Sequence, residues 1–279
     1  MKLSEINIYP IKSLGGIALE ESVVEKRGLQ FDRRWMLVDE NNQFLTQREL
    51  PKMATISLKL TENSLSASAE HFENLLIPYK PHDDKKIEVR IWQSICEAIS
   101  MEKSFGDWFS AVLQTNCRLV YMPDETERAI NPLFNKNNDI VSFADGYPFL
   151  VIGENSLNNL NEKLDNSIPM NRFRPNFVVK NSAPFAEDNW KKLTIGGTIF
   201  RTTKPCARCV ITTVDQAEGF FTGKEPLKTL ADYRLAKDVF PNNFSSLGLN
   251  KNSVLFGQNL IAENFGKTLK IGDEIKVLA

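Results

Sequence analysis

Residues 193–202 read Leu-Thr-Ile-Gly-Gly-Thr-Ile-Phe-Arg-Thr, with Gly196 and Gly197 at their centre. Apolar and polar side chains alternate on either side of the glycines, and this two-residue period is typical of β-strands. The same period recurs along the chain, over residues 35–38, 44–46, 55–60, 64–69, 87–92, 119–121, 177–179, 211–214 and 269–277. About a dozen short strands separated by turn residues predict a mainly β fold (α+β) made of barrels or sandwiches.

Several neighbouring strands are separated by short polar turns. The spacing predicts hairpins over residues 35–46 and 55–69, and a terminal hairpin over residues 269–277. Helical periodicity is rarer and predicts three amphipathic helices, over residues 104–113, 155–164 and 225–233. The polar stretch 123–139 predicts a seam between two β-rich units, residues 1–122 and 123–279.

The composition is that of an ordinary globular protein. Of 279 residues, 42% are hydrophobic and 25% are charged, which excludes a disordered, collagenous or coiled-coil chain. A formal net charge of −1 removes the usual electrostatic reason to expect nucleic acid or a membrane as a partner. Four scattered cysteines are too few for a secreted disulfide framework, and Glu5 stands where a signal peptide needs apolar residues. We therefore expect a soluble, cytoplasmic protein.

The motif that most strongly indicates a functional site is Cys206-Ala207-Arg208-Cys209, which precedes the apolar run 210–214. A zinc site needs four ligands, and the remaining cysteines and histidines are not at paired-ligand spacing. A thioredoxin-like dithiol needs a helix after the pair, whereas a strand is predicted here, and the spacing matches no usual iron–sulfur site. Two interpretations remain: a single functional thiolate favoured by Arg208 and Lys204, or two buried cysteines acting as small apolar residues.

Cationic residues lie beside segments of restricted conformation. Arg174 precedes Pro175, which predicts an extended backbone at the arginine. Arg33 lies just before a strand, and Lys12 follows one. If these three groups converged they would form an anion site, because arginine and lysine both bind phosphate oxygens. For any one of them alone, a solvated or ion-paired surface cation is the favoured interpretation. Asp145 belongs to a predicted turn that could face a ligand.

Several motifs together resemble a known family, that of the MOSC-domain molybdenum proteins, in the branch of the mitochondrial amidoxime-reducing component and its bacterial relatives. The motifs occur in the same order from the N-terminus to the C-terminus, and their number makes the resemblance specific. They are Tyr9-Pro10-Ile11-Lys12-Ser13, the stretch 28–35, Phe143-Ala144-Asp145, Phe173-Arg174-Pro175-Asn176, the Cys206–Cys209 motif with the stretch 212–215, the stretch 224–227 and Leu255-Phe256-Gly257-Gln258.

The resemblance implies a MOSC N-terminal β-rich domain over residues 1–122 and a MOSC β-barrel domain over residues 123–279, with a molybdenum–pterin cofactor between them. Cys209 would be the metal ligand, a soft thiolate suited to this metal, and Cys209 and Asp145 the catalytic residues. The residues implied to bind the cofactor are Lys12, Ser13, Arg33, Asp145, Arg174, Asn176, Ala207 and Cys209. Relatives commonly carry serine at the position of Ala207, so one hydroxyl contact would be missing. Cys206 would be a structural thiol.

The implied activity is removal of oxygen from N-hydroxylated compounds such as amidoximes, hydroxylamines and N-hydroxylated bases. Some relatives continue into a ferredoxin-like domain, and this sequence ends without one. We therefore expect electrons from a separate ferredoxin-, flavodoxin- or cytochrome-type protein. Two alternatives remain open: a non-catalytic carrier of the molybdenum cofactor or of sulfur, and a cofactor-free β-rich binding module whose cysteines belong to the core.

Overall fold

The computed structural model describes residues 1–82 and 84–278. Strands account for 35% of the residues and helices for 16%, which confirms the mainly β prediction. Alternation of side chains explains the strands. Between residues 64 and 68, Leu65 and Ala67 are buried, whereas the serines around them are partly exposed. Such a pattern gives a strand one face for the core and one for solvent.

The described residues contain eighteen strands. They are β1 (Lys2–Ile8), β2 (Ile17–Leu19), β3 (Glu21–Glu25), β4 (Gly28–Leu29), β5 (Trp35–Val38), β6 (Ser57–Leu60), β7 (Ser64–Ser68), β8 (Leu75–Pro78), β9 (Lys86–Ile91), β10 (Ser94–Ser100), β11 (Arg118–Tyr121), β12 (Phe149–Gly153), β13 (Phe177–Lys180), β14 (Lys192–Ile195), β15 (Thr198–Ala207), β16 (Leu255–Ala262), β17 (Thr268–Lys270) and β18 (Ile275–Val277).

The helices are short. Four α-helices occur among the described residues: α1 (Lys103–Leu113), α2 (Glu154–Asn161), α3 (Leu227–Ala231) and α4 (Ala236–Val239). Four 3₁₀ helices cover Pro51–Thr55, Met170–Phe173, Ala186–Asn189 and Val210–Thr213. In the described part of the chain, no helix has the length and apolar character needed to cross a bilayer.

The largest sheet joins the start of the chain to its second half. Its eight strands lie in the order β18-β14-β15-β16-β12-β13-β1-β2. Strand β1 pairs antiparallel with β13, and β13 pairs parallel with β12. The residues that follow β1 are thereby placed next to the residues that precede β13. Three smaller sheets have the orders β5-β11-β10-β9, β17-β3-β4 and β6-β7-β8.

Two large apolar clusters support these sheets. Under the large sheet, the rings of Phe149, Phe177 and Phe200 lie 5.3–5.6 Å apart between centroids. All three are fully buried, and aromatic pairs at this separation stabilise a core beyond the area that they bury. The second cluster includes Trp35 and packs against α1 through Phe109.

Most of the predicted elements are present. The hairpin over residues 55–69 is formed by β6 and β7. The Gly196-Gly197 pair separates β14 from β15, and the amphipathic segment 104–113 forms α1. The boundary predicted between residues 122 and 123 stays a prediction, but the two segments share strands: β1 and β2 lie in the sheet otherwise built from residues beyond 148.

Two predicted elements in the second half of the chain were wrong. Residues 210–213 form a 3₁₀ helix instead of a strand, because the backbone N–H groups of Thr212 and Val214 each bond to the carbonyl three residues earlier. A thioredoxin-like dithiol was set aside because a strand was predicted after the cysteine pair. The structure has a short helix there, so that reason no longer holds. The terminal hairpin is also absent from the described residues: β17 pairs with β3 and β18 with β14, so the two last strands extend different sheets.

A pair of glycines tests how tightly the large sheet is packed. Gly257 and Gly266 both have positive φ, 80° and 85°. A Cβ on Gly257 would lie 2.6 Å from Cγ1 of Ile152, whereas one on Gly266 would meet no atom within 4 Å. We expect Gly266→Ala to lower the free energy of unfolding by about 1–2 kcal/mol through backbone strain. Gly257→Ala should cost about 2–4 kcal/mol, because overpacking is added to the same strain.

Urea denaturation followed by circular dichroism measures both values. Equal losses for the two variants would show that the contact between β16 and β12 relaxes without cost.

Candidate functional site

A cleft of about 210 Å³ contains all the predicted site residues in its lining. These are Lys12, Ser13, Arg33, Asp145, Arg174, Asn176, Ala207 and Cys209. They come from the turn after β1, the segment before β5, the turn before β12, the start of β13 and the end of β15. The convergence that the sequence left open is therefore present in the structure.

Cys209 lies two residues after the end of β15 and immediately before the 3₁₀ helix Val210–Thr213. The pairing of β15 with β16 is irregular on both sides of Pro205, where the register shifts twice. Irregularities of this kind bend a strand and change the direction of its side chains. Backbone N–H of Thr212 then donates to the carbonyl of Cys209 at 3.1 Å, which fixes the start of the helix. The Cys209 side chain lines the cleft as a result.

Arg48 connects the sulfur to the carboxylate of the cleft. Its Nη2 donates to Sγ of Cys209 at 3.3 Å and to Oδ2 of Asp145 at 3.0 Å. Burial lowers the pKa of the Arg48 guanidinium, but Asp145 and then Cys209 raise it by more. Arg48 therefore stays charged, and a charged donor stabilises a thiolate more strongly than a neutral one.

The cations predicted to assist the thiolate have other partners. Nε and Nη1 of Arg208 donate to the carbonyls of Phe256 and Phe173, at 2.8 and 3.0 Å. Nζ of Lys204 lies 3.4 Å from the carbonyl of Gly248. Burial raises the pKa of the Cys206 thiol, and nearby Arg208 only partly opposes this. The structure thus distinguishes the two cysteines: Cys209 receives a hydrogen bond from a cation, and Cys206 is held as a neutral thiol.

Lys12 and Asp145 form an ion pair in the cleft. Nζ of Lys12 donates to Oδ1 of Asp145, while Arg48 donates to the other carboxylate oxygen. Burial, opposed by Asp145, lowers the pKa of Lys12 to about 8. Burial also raises the pKa of Asp145, but Lys12 and Arg48 outweigh it and hold that pKa far below its usual range. Asp145 is therefore a carboxylate at neutral pH, whereas Lys12 gains or loses its proton close to neutral pH.

Arg33 and Arg174 both stack on Tyr9. Their guanidinium carbons lie 4.2 and 4.1 Å from the ring centroid, within cation–π distance. Nη1 of Arg33 pairs with both carboxylate oxygens of Asp32, at 2.7 and 2.9 Å. Arg174 has no carboxylate partner within residues 1–82 and 84–278, and its contact to Gln216 is 3.4 Å long. Arg174 is thus a charge that the protein itself does not neutralise.

The predicted extended conformation of Arg174 was wrong. The residue has φ 54° and ψ 48°, and it ends the 3₁₀ helix Met170–Phe173 with its N–H bonded to the carbonyl of Asn171. Pro175 disfavours the right-handed helical region at Arg174, and the turn from the 3₁₀ helix into β13 takes the left-handed region instead. Ser13 and Arg33 are also left-handed, at φ 68° and 50°. Such strained residues cluster at functional sites.

Asn176 holds the walls of the cleft together. Its Oδ1 accepts from the N–H of Leu150 at 3.2 Å, and its Nδ2 donates to the carbonyl of Asn7 at 3.1 Å. Its side chain thereby joins β1 to β12 across the start of β13. Ser13 is anchored through its backbone, whose carbonyl accepts from Nε2 of Gln47 at 2.7 Å. Ala207 is exposed at the cleft and offers no side-chain polar group.

Positive charge exceeds negative charge in the cleft. Its lining contains six cations, namely Lys12, Arg33, Arg48, Arg172, Arg174 and Arg208. Asp145 is the acidic residue of that lining, and Asp32 and Asp215 pair with Arg33 and Arg172. The cleft therefore contains three more cations than the carboxylates that line it or pair with its arginines. In the described part of the chain, buried Nη2 atoms of Arg174 and Arg208 have no hydrogen-bond partner. Buried donors of this kind need an acceptor, and the charge selects an anionic one.

Comparison with known proteins agrees with this picture. The family model described as the MOSC N-terminal beta barrel domain matches residues 1–116, and that of the MOSC domain matches residues 138–276. The chain belongs to the MOSC family. It is similar to mitochondrial amidoxime-reducing component 1 from Mus musculus and from Homo sapiens, with 32% identity to each. In both cases 99% of this chain aligns with 82% of the relative.

The MOSC assignment places the chain in a family associated with the molybdenum cofactor. The two family models leave residues 117–137 between them, and the predicted boundary at 122/123 falls in that interval. A crystal structure of the YUAD protein from Bacillus subtilis aligns with 98% of this chain and 93% of its own, at 10% identity and a TM-score of 0.40. That likeness is too weak to support a structural or functional conclusion.

The sequence analysis missed two cations that line the MOSC cleft, and the first is Arg48. It follows Leu45-Thr46-Gln47, in which Thr46 and Gln47 are buried polar residues. The criterion that singled out Lys12, a cation just after a strand pattern, applies equally to Arg48. Arg172 was missed as well, although it precedes Phe173-Arg174 directly. Nothing in its position indicates that it pairs with Asp215 at 3.0 Å.

The charge of Lys12 gives the MOSC cleft a testable pH dependence. Above its pKa of about 8 the amine becomes neutral, so the cleft loses one positive charge. Sulfate stays a dianion over this range and is a suitable probe. We expect its affinity for cofactor-free protein to fall roughly tenfold from about pH 7 to pH 9.5, as one charge-assisted hydrogen bond is lost.

Isothermal titration calorimetry measures the change. Lys12→Arg is the matched control, because its guanidinium stays charged and the affinity should hold across the range. Equal sulfate affinity of the native protein at both pH values would contradict the assignment.

Proposed function

We propose that this protein is a molybdenum-cofactor-dependent reductase that removes oxygen from N-hydroxylated compounds such as amidoximes, hydroxylamines and N-hydroxylated bases. The observation that carries the proposal is the position of Cys209, whose sulfur faces a cleft with excess positive charge. Relatives named amidoxime-reducing components align with nearly the whole chain and support the same activity. At 32% identity, the reaction itself has to be tested on this protein.

The cleft fits such a cofactor in two respects. In the described residues, no group of three or more His, Cys, Asp or Glu side chains could hold a metal. The protein offers one soft sulfur ligand, which suits a metal whose remaining ligands belong to its own cofactor. The unpaired Nη2 atoms of Arg174 and Arg208 suit the phosphate of a pterin cofactor, since a charged N–H group donates strongly to phosphate oxygens.

Each group would then have a defined task. Cys209 would ligate the metal, and Arg48 would donate a hydrogen bond to its sulfur. Arg174, Arg33 and Lys12 would bind the anionic part of the cofactor. When bound, the molybdenum cofactor supplies a two-electron couple and an acceptor for oxygen. The strained but packed backbone at Arg33 and Arg174 keeps their side chains in place before the cofactor arrives.

The reaction also needs protons. Conversion of an N–OH compound into the amine and water takes two electrons and two protons. Asp145 is held as a carboxylate, so we propose that it orients Lys12 and Arg48 at the reaction site. Lys12, with a pKa of about 8, can hold a proton on Nζ at neutral pH and release it towards the cleft. A general acid works best when its pKa lies near the operating pH.

The electrons would come from a separate redox protein. The four cysteines of the sequence lie at no spacing typical of an iron–sulfur cluster, and all four are free thiols. Free thiols also support the proposal that the protein works in the cytoplasm, where thiols stay reduced.

The two cysteines provide a matched test of the metal ligand. In a host that makes the cofactor, Cys209→Ala should lose at least about 100-fold of benzamidoxime reduction with a chemical electron donor, because removing a ligand weakens the metal site. Cys206→Ala should keep the activity within about threefold, since a neutral thiol contributes little to binding.

Molybdenum content by mass spectrometry is measured on the same samples. If Cys209→Ala turned over benzamidoxime like the native protein, Cys209 would not be the ligand. Cofactor present in the native protein without turnover would favour the carrier alternative.

Arg174 provides a test of the anion site. We expect Arg174→Gln to reduce the molybdenum retained after purification roughly tenfold, because a charge-assisted contact of about 1.5 kcal/mol or more is lost. Arg90→Gln is a matched control, as Arg90 is exposed and lies outside the cleft. Equal retention in both variants would separate Arg174 from cofactor binding.

A further inference from the structure

A second cavity, of about 550 Å³, adjoins the MOSC cleft that contains Cys209. The two share part of their lining, at Asp145, Gly146, Tyr147, Cys206, Ala207 and Asn259. The second cavity also has a wall from the N-terminal half of the chain, formed by Trp92 and its neighbours Ile91 and Gln93. A molecule in this cavity would therefore lie between Trp92 and the residues around Asp145.

Trp92 occupies an unusual position for a large side chain. It is the first residue of the two-residue turn between β9 and β10, and its φ is 55°. Turn positions with positive φ are normally taken by Gly, Asn or Asp. All four tryptophans lie in the described residues, and Trp92 is 45% exposed while Trp35 and Trp190 are buried. An exposed indole on a strained turn beside a cavity is a feature that folding alone does not require.

The indole is held in a fixed orientation. The guanidinium carbon of Arg48 lies 4.6 Å from the centroid of the Trp92 ring. The ring of Phe44 meets it edge to face, with 5.0 Å between centroids. Arg48 is the residue that also donates to Cys209 and Asp145. One side chain thus positions both the indole and the thiolate, while the exposed part of the indole remains available for contact.

We propose that Trp92 is the substrate-binding wall of this protein, and that it selects N-hydroxylated compounds carrying a planar aromatic ring. The inference rests on the proposed reductase function. A ring stacked on Trp92 would sit in the larger cavity and direct its N–OH group towards the shared residues around Asp145. Stacking between aromatic rings is directional and adds to the area buried, which gives ring-bearing substrates an advantage over small aliphatic ones.

The test compares two substrates in the molybdenum-loaded protein. For Trp92→Ala we expect the KM of benzamidoxime to rise about tenfold, while the KM of N-methylhydroxylamine, which lacks a ring, stays within twofold. The kcat of both should be unchanged, because the lost contact is made equally in the ground state and in the transition state. Trp92→Phe should restore the KM of benzamidoxime to within about threefold of the native value.

Ile95→Ala is the matched control. Ile95 lies on the same hairpin, is 51% exposed and lines neither cavity. Its substitution should leave both KM values unchanged. If Trp92→Ala impaired the two substrates equally, the indole would act through Arg48 and the wall proposal would be overturned. An unchanged KM for benzamidoxime would overturn it as well.

A binding measurement separates this proposal from the proposed function. Without an electron donor, titration with benzamidoxime should quench the tryptophan fluorescence of the native protein, and Trp92→Phe should lose that quenching. If benzamidoxime quenched the fluorescence of Trp92 in a protein that never reduces it, the reductase function would be refuted and the substrate-binding role of Trp92 supported. Reduction of benzamidoxime with identical quenching in the native protein and in Trp92→Phe would refute the wall and leave the reductase in place.

Discussion

The hydrogen bonds of Arg48 to Cys209 and Asp145 are the interaction on which the site depends. The three residues lie in separate parts of the chain, after β5, before β12 and after β15. A guanidinium can serve a sulfur and a carboxylate at once because its donors are fixed in one plane. The sulfur is thereby held at a constant position relative to the carboxylate. Without Arg48, Asp145 would face Lys12 alone and the sulfur of Cys209 would lose its cationic hydrogen-bond donor.

The positive cleft opposes folding. Burial lowers the pKa of Lys12 to about 8 and that of Arg174 to about 10, which shows that the protein disfavours both charges. The left-handed backbone at Ser13, Arg33 and Arg174 adds strain of the order of 1–3 kcal/mol for each residue. Backbone strain and disfavoured charge thus occur together at this cleft. Such a concentration is expected where stability has been exchanged for binding.

The sequence predicted what depends on local pattern. Alternation located β6, β7 and β14, and helical spacing located α1. It failed at residues 210–213, whose apolar character resembles a strand although the irregular end of β15 forces a tight turn. It also failed for the terminal strands, because strand partners are chosen by tertiary contacts. The resemblance to a family identified much of the lining of the cleft. Arg48 was missed, because the position of a cation after a strand pattern does not tell whether it enters a cleft or meets solvent.

The topology separates the two tasks of the site. Strands β1, β13 and β15 of the large sheet position Lys12, Arg174 and Cys209, and these strands are fixed by the aromatic core beneath them. Trp92 belongs to the β9–β10 hairpin of a different sheet, and its turn is free of that core. A turn on a rigid scaffold can change without disturbing the scaffold. The residues proposed to hold the cofactor are therefore constrained by folding, whereas the proposed substrate wall lies on one hairpin of a separate sheet.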